Sequence, residues 1–196
     1  MNATNVKLSP TELMLATDAG FILTKNGIIQ KVYGLFGAIS ESCKTIVATH
    51  PHLPLEIKNS SPKISKGENY EGLPWVMLDY PRCFSNTGVF AIRLFFLWGN
   101  FVSVTLHLQG SYREQFQNVV KKLDAKPRTY PWFVCVANDA WQHHFRSDNY
   151  QLLSVTNQET IQQMPFVKLA KKIPLQEWDN IYAFVIETFS EILNAL

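Results

Sequence analysis

Twenty consecutive positions, 89–108, are almost entirely apolar, and a Gly99-Asn100 pair divides them in the middle. Their length matches a membrane-spanning helix. Arg93, His107 and the central Gly-Asn break are costly inside a bilayer, however, so no membrane association is expected. Two strands joined by a tight turn account for the same residues, because Gly and Asn tolerate the positive φ that hairpin turns need. The sequence therefore predicts a β-hairpin of residues 89–98 and 101–109. A two-residue turn at 99–100 pairs Trp98 with Phe101, Phe96 with Ser103, Leu94 with Thr105 and Ile92 with His107. In that register Arg93 lies on the opposite face from His107, beside Ala91, Phe95 and Leu97. Both faces are then mostly apolar, as in strands central to a sheet covered on both sides.

Further strands are predicted at 75–80, closed by Pro81, at 132–137, and at 165–172. Helical signals surround them. Ser9-Pro10-Thr11-Glu12 is a capping box with Pro at the first helical position, and the helix it opens is expected to run to Lys25 and stop at Asn26-Gly27. A second helix carries the stripe Ile28, Val32, Leu35, Phe36, Ile39, Cys43, Ile46 and Val47. Ser111 and Glu114 suggest a capping box for a helix through Leu123, and Asn138 one for a helix over 139–146. Pro174 opens a C-terminal helix with Trp178, Ile181, Val185, Phe189 and Ile192 on one face. Strands in the middle and helices at both flanks predict one α+β domain with a central, mainly antiparallel sheet. It divides into an N-terminal helical segment at 1–50, a sheet-containing core at 51–172 and a C-terminal helix at 173–196. At 46% apolar, with 13 Phe, 7 Tyr and 5 Trp, the chain can fill such a core.

Charge narrows the partners. Eighteen Lys and Arg face sixteen Asp and Glu, spread over both halves of the chain, which argues against a nucleic-acid partner. Cys43, Cys83 and Cys135 have neither zinc-knuckle nor redox-dithiol spacing and suit a reducing compartment. Residues 1–10 are polar and carry no secretory pattern, so the cytoplasm is the expected location.

No chemical motif is specific. His143 and Asp139 share a predicted helix face, and His50 and His52 share a loop, but neither pair gains a third ligand, so no metal is expected. Glycine-rich phosphate loops are missing, and no cofactor is expected. Cys83 stands beside Arg82 without a base in sequence reach. Arg93, on an apolar strand, requires a carboxylate, and Asp79 on the preceding strand is the nearest. These features predict a non-catalytic module that binds a small molecule or a protein partner. Loops expected at 59–72 and 82–87 bracket one strand and offer Lys66, Glu68, Asn69, Tyr70 and Arg82, with Trp75 as a wall and His107 on the hairpin. The alternative is an enzyme that uses His107 or His143 as acid or base with Asp79 or Asp139.

Overall fold

The computed structural model describes residues 6–124 and 129–196. The apolar stretch does form a hairpin, of strands β3 (Gly88–Leu97) and β4 (Phe101–Gly110). Its turn holds three residues, not two. Gly99 takes φ 70°, open only to glycine without strain, and Asn100 N–H donates to Leu97 O at 3.1 Å. Trp98 N–H is drawn away to Pro74 O at 3.0 Å, so Trp98 leaves the β3–β4 ladder and Leu97 closes it against Phe101. The extra turn residue shifts the register by one, with Phe95 opposite Ser103, Arg93 opposite Thr105 and Ala91 opposite His107. A one-residue slip exchanges the faces of a strand. The polar residues expected on two faces therefore share one.

The hairpin is the centre of a seven-stranded antiparallel sheet in the order β1-β2-β3-β4-β7-β5-β6. Added to it are β1 (Lys63–Tyr70), β2 (Leu73–Phe84), β5 (Phe133–Cys135), β6 (Tyr150–Leu152) and β7 (Phe166–Pro174). The fold is α+β. Two expected loops are largely strand. Lys63–Tyr70 pairs along β2 despite its polar composition, since an edge strand takes its order from backbone pairing and gains from charges that deter further pairing. β2 continues past Pro81 to Phe84, with an irregularity between Asp79 and Arg82, which leaves only residues 85–87 as loop.

One sheet face carries the main core. Val76, Leu78, Phe90, Ile92, Leu94, Phe96, Val104, Leu106 and Leu169 lie at 0–1% exposure under helices α2 (Ala19–Thr49) and α7 (Ile181–Ala195). α7 follows a 3₁₀ turn over Leu175–Asn180 and buries Ile181, Phe184, Val185, Phe189 and Ile192, with Lys171 of β7 paired to its Glu191 at 2.7 Å. Short helices α3 (Leu55–Lys58), α4 (Ser111–Gln115), α5 (Val119–Asp124) and α6 (Gln158–Gln163) fill the margins. The single helix expected from Ser111 is two, and its capping box does not form: the cap is Gly110, with no side-chain bond.

The N-terminal break also falls elsewhere. The Ser9 capping box is present, but α1 (Pro10–Thr17) ends at Asp18, whose carboxylate accepts from Phe21 N–H and starts α2. α2 then runs unbroken through Asn26-Gly27, because a Gly in a helix only weakens it by about 1 kcal/mol.

Candidate functional site

The second sheet face is polar where the first is apolar. In the observed register it presents Asp79, Arg93, Ser103, Thr105, His107 and Lys168, all on central strands. Arg93 and Asp79 form the expected pair: Nε and Nη2 of the guanidinium donate to the two carboxylate oxygens at 2.6 and 3.0 Å, with both side chains about nine-tenths buried. Among the described residues no helix covers this face. A strap, residues 136–149 between β5 and β6, crosses it instead, and the expected helix over 139–146 does not form. Local helix signals lose there to long-range bonds. Asp139 accepts from Trp141 N–H at 2.9 Å, and the Tyr70 hydroxyl accepts from His143 N–H and His144 N–H at 2.7 and 3.0 Å.

The polar layer holds the strap down. Lys168, 2% exposed, donates from Nζ to Ala140 O at 2.9 Å and to Gln142 O. Its burial draws its pKa down to about 8, Cys135 opposing and Arg93 adding to the fall. His143 stacks on Phe95 with ring centres 4.8 Å apart and brings Nε2 to 3.4 Å from Arg93 Nη1. Burial, then Lys168 and Arg93, pushes His143 far below the ordinary histidine value and lowers His107 to about 4. Both imidazoles are therefore neutral at physiological pH. His107 lies edge-on between Trp141 and Phe166, at 5.6 and 5.7 Å, and its Nε2 is buried without a hydrogen-bond partner.

A third surface is neither core nor strap. No residue of α1 is buried, and burial in α2 begins only at Ile29. Val6, Leu8, Leu13, Met14, Leu15, Phe21, Ile22 and Leu23 are 44–83% exposed. The stripe that sinks Ile29, Val32 and Phe36 into the core continues backwards to Ile22, which is half exposed. Lys25, paired with Glu68 on β1, marks where the domain ends and this arm begins.

No family model matches the chain, and no curated protein or solved structure is significantly similar to it. The site residues must therefore be weighed on geometry alone.

The seven ligand residues expected from sequence fall in separate places. Tyr70 and Trp75 share the strap-side face and pack on Phe95; the Trp75 ring covers Gly67, where any Cβ would stand 2.6 Å from the indole. Tyr70 is occupied in holding the strap. Lys66 lies over the Tyr33 ring at 5.7 Å and Glu68 is bound to Lys25, so both serve to dock α2 on β1. Asn69 accepts from Gly72 N–H at 3.1 Å and shapes the β1–β2 turn. Arg82 donates from Nε to Ser61 O at 3.1 Å at the rim of an open cleft of about 450 Å³, shared with Glu56, Cys83 and Tyr112. There the Cys83 thiol bonds Glu56 O at 3.4 Å, and burial raises its pKa, which disfavours the thiolate. His107 lies under Trp141, apart from all of these. Among the described residues, no three His, Cys, Asp or Glu side chains converge as metal ligands.

The arm was not anticipated, although the sequence carries a signal for it. Leu13-Met14-Leu15 and Phe21-Ile22-Leu23 are adjacent triplets, not residues spaced by three and four. Successive helical residues turn by about 100°, so each triplet covers most of the helix circumference and exceeds what one core contact can bury.

Proposed function

We propose that the protein is a non-catalytic binding module whose recognition surface is the N-terminal helical arm and whose partner is a protein. The observation that carries this reading is the eight large apolar side chains left exposed between Val6 and Leu23. Soluble chains seldom leave this many large apolar side chains exposed on one short segment unless another molecule covers some of them. A membrane surface suits it less. Interfacial helices carry many Lys and Arg, whereas residues 6–24 hold one Lys, one Glu and one Asp, and among the described residues no helix is long and apolar enough to cross a bilayer. The three cysteines are free, which supports the cytoplasm as the setting.

The enzyme reading draws less support. His107 and His143 are surrounded by Arg93 and Lys168, not by an orienting carboxylate, and Asp139 is engaged by Trp141 N–H. A small-molecule site would have to use the open cleft at Arg82 or a cleft of about 400 Å³ between Arg113, Lys121 and Gln162. In-cell photo-cross-linking tests the proposal. A benzophenone side chain at Met14 is expected to give a discrete protein adduct, while the same probe at exposed Glu114 gives none. Equal labelling at both positions would count against it.

A further inference from the structure

The arm's size, composition and charge narrow its occupant, and we infer that it is a second copy of the same chain, so that two arms pack together in a symmetric homodimer. This rests on the reading of the arm as a protein-binding surface. Area is the first observation. The eight side chains are 44–83% exposed. At roughly 100 Å² left open on each, the arm offers on the order of 800 Å² around its whole circumference, and the part that one copy can cover suits a weak, concentration-dependent dimer. A copy of the arm brings an equally apolar surface to that contact. A two-fold dimer needs this self-match, since the same patch serves on both sides.

Charge is the second. A patch that meets its own copy must be nearly neutral, or it repels itself. Between Val6 and Thr24 the charged residues are Lys7, Glu12 and Asp18. Both signs are present and the net charge is small. Arms running antiparallel bring Lys7 of one copy toward the acidic Asp18 end of the other. A strongly basic or acidic partner finds little to attract it here.

Helix stability is the third. α1 is eight residues long and has no buried residue. An isolated helix of that length is marginal in water, even with a good capping box. Leu13, Met14 and Leu15 point around it in different directions, so contact along one stripe covers only part of it. Packing against the arm of a copy covers part of a circumference that the chain itself leaves exposed. α2 supplies the scaffold. Its six residues from Ala19 to Thr24 extend about 9 Å beyond Lys25, where α2 still meets β1.

Sedimentation velocity on the full chain, from low to high micromolar concentration, tests the inference. The expected result is a species of twice the 22.4 kDa chain mass. A Leu13→Glu/Ile22→Glu variant is expected to sediment as the monomer at every concentration. Both positions are exposed, so the sheet and its core should stay folded, with a near-ultraviolet circular dichroism spectrum like that of the wild type, and a Leu13→Met/Ile22→Leu variant should restore the dimer. Three results overturn the dimer. One is a wild-type monomer throughout. Another is a dimer indifferent to the Glu pair, which places the interface elsewhere. The third is a monomer that pellets with phosphatidylserine vesicles through the arm, which makes the occupant a lipid surface. The wider reading fails separately: a monomer that still gives a discrete heterologous adduct from Met14 sinks only the dimer, whereas a monomer without any adduct sinks both.

Discussion

Helices stand at both ends of the described chain, and they are used in opposite ways. α7 buries Ile181, Phe184, Val185, Phe189, Ile192 and Leu193 against the sheet, whereas α1 buries nothing and α2 buries nothing before Ile29. Composition does not separate them, since both are rich in Leu, Ile and Phe. Spacing does. In α7 the buried residues Ile181, Phe184, Val185, Phe189 and Ile192 make one stripe that a single surface can cover, and of the Phe184-Val185-Ile186 triplet only Ile186 stays half-buried. In the arm the apolar residues come in triplets and surround the helix. An apolar residue inside the stripe is worth its burial on folding; one in the arm gains nothing until a second molecule arrives.

Single substitutions should divide along that line. Phe189→Ala in α7, at 0% exposure, is expected to cost about 3–5 kcal/mol in urea unfolding, as large-to-small changes in packed cores do. The strap-covered face lies between the extremes. Arg93→Met leaves Asp79 buried without its partner and should cost about 3 kcal/mol, against a few tenths for Arg82→Met at the cleft rim. Equal effects of the two Arg variants would mean that the polar layer does not fasten the strap.

Proton linkage gives a smaller and more specific signature. His107 and His143 are buried neutral, with folded pKa values below those of the unfolded chain. The unfolded state therefore binds more protons as the pH falls below about 6.5, and stability declines from there toward the folded pKa values, by up to roughly 1.4 kcal/mol per pH unit for each histidine. Lys168 has the same sign at higher pH. Its folded pKa of about 8 lies below the ordinary lysine value, so stability rises as the pH passes from about 8 toward 10.5. Urea midpoints across this range check both limbs, and a His107→Gln variant should flatten the acid one. The smallest effect belongs to the arm. Leu13→Ala or Ile22→Ala, read on dilute monomer, should change stability by less than about 0.5 kcal/mol.

Much of the framework, and one contact of the strap-covered face, are legible in the sequence. The hairpin, the α7 stripe, the Ser9 capping box and the Arg93–Asp79 pair follow from local patterns and from the cost of a buried lone charge. The strap side is less so, for identifiable reasons. Gly-Asn suits a two-residue and a three-residue turn alike, and the choice was made by Trp98 N–H bonding to Pro74 O across a different strand. That bond alone decides which face receives Arg93. β1 reads as loop because Lys63–Tyr70 is polar, while its order comes from the ladder with β2. The 139–146 segment carries a good cap and a helical pattern but answers to Tyr70 and Lys168, which are distant in sequence. Five of the seven expected ligand residues, Lys66, Glu68, Asn69, Tyr70 and Arg82, lie in segments that read as loops. Most of them belong to strands and are already engaged in holding the fold.

Hydrogen–deuterium exchange on the full chain at low and high concentration tests most directly whether the arm is a surface that waits for a partner. Amides of residues 10–24 are expected to exchange rapidly in dilute solution and to slow severalfold as concentration rises, with those of α7 protected equally at both. Fast, concentration-independent exchange in the arm would contradict a second copy as its occupant, and strong protection of the arm in the dilute monomer would contradict its exposure altogether.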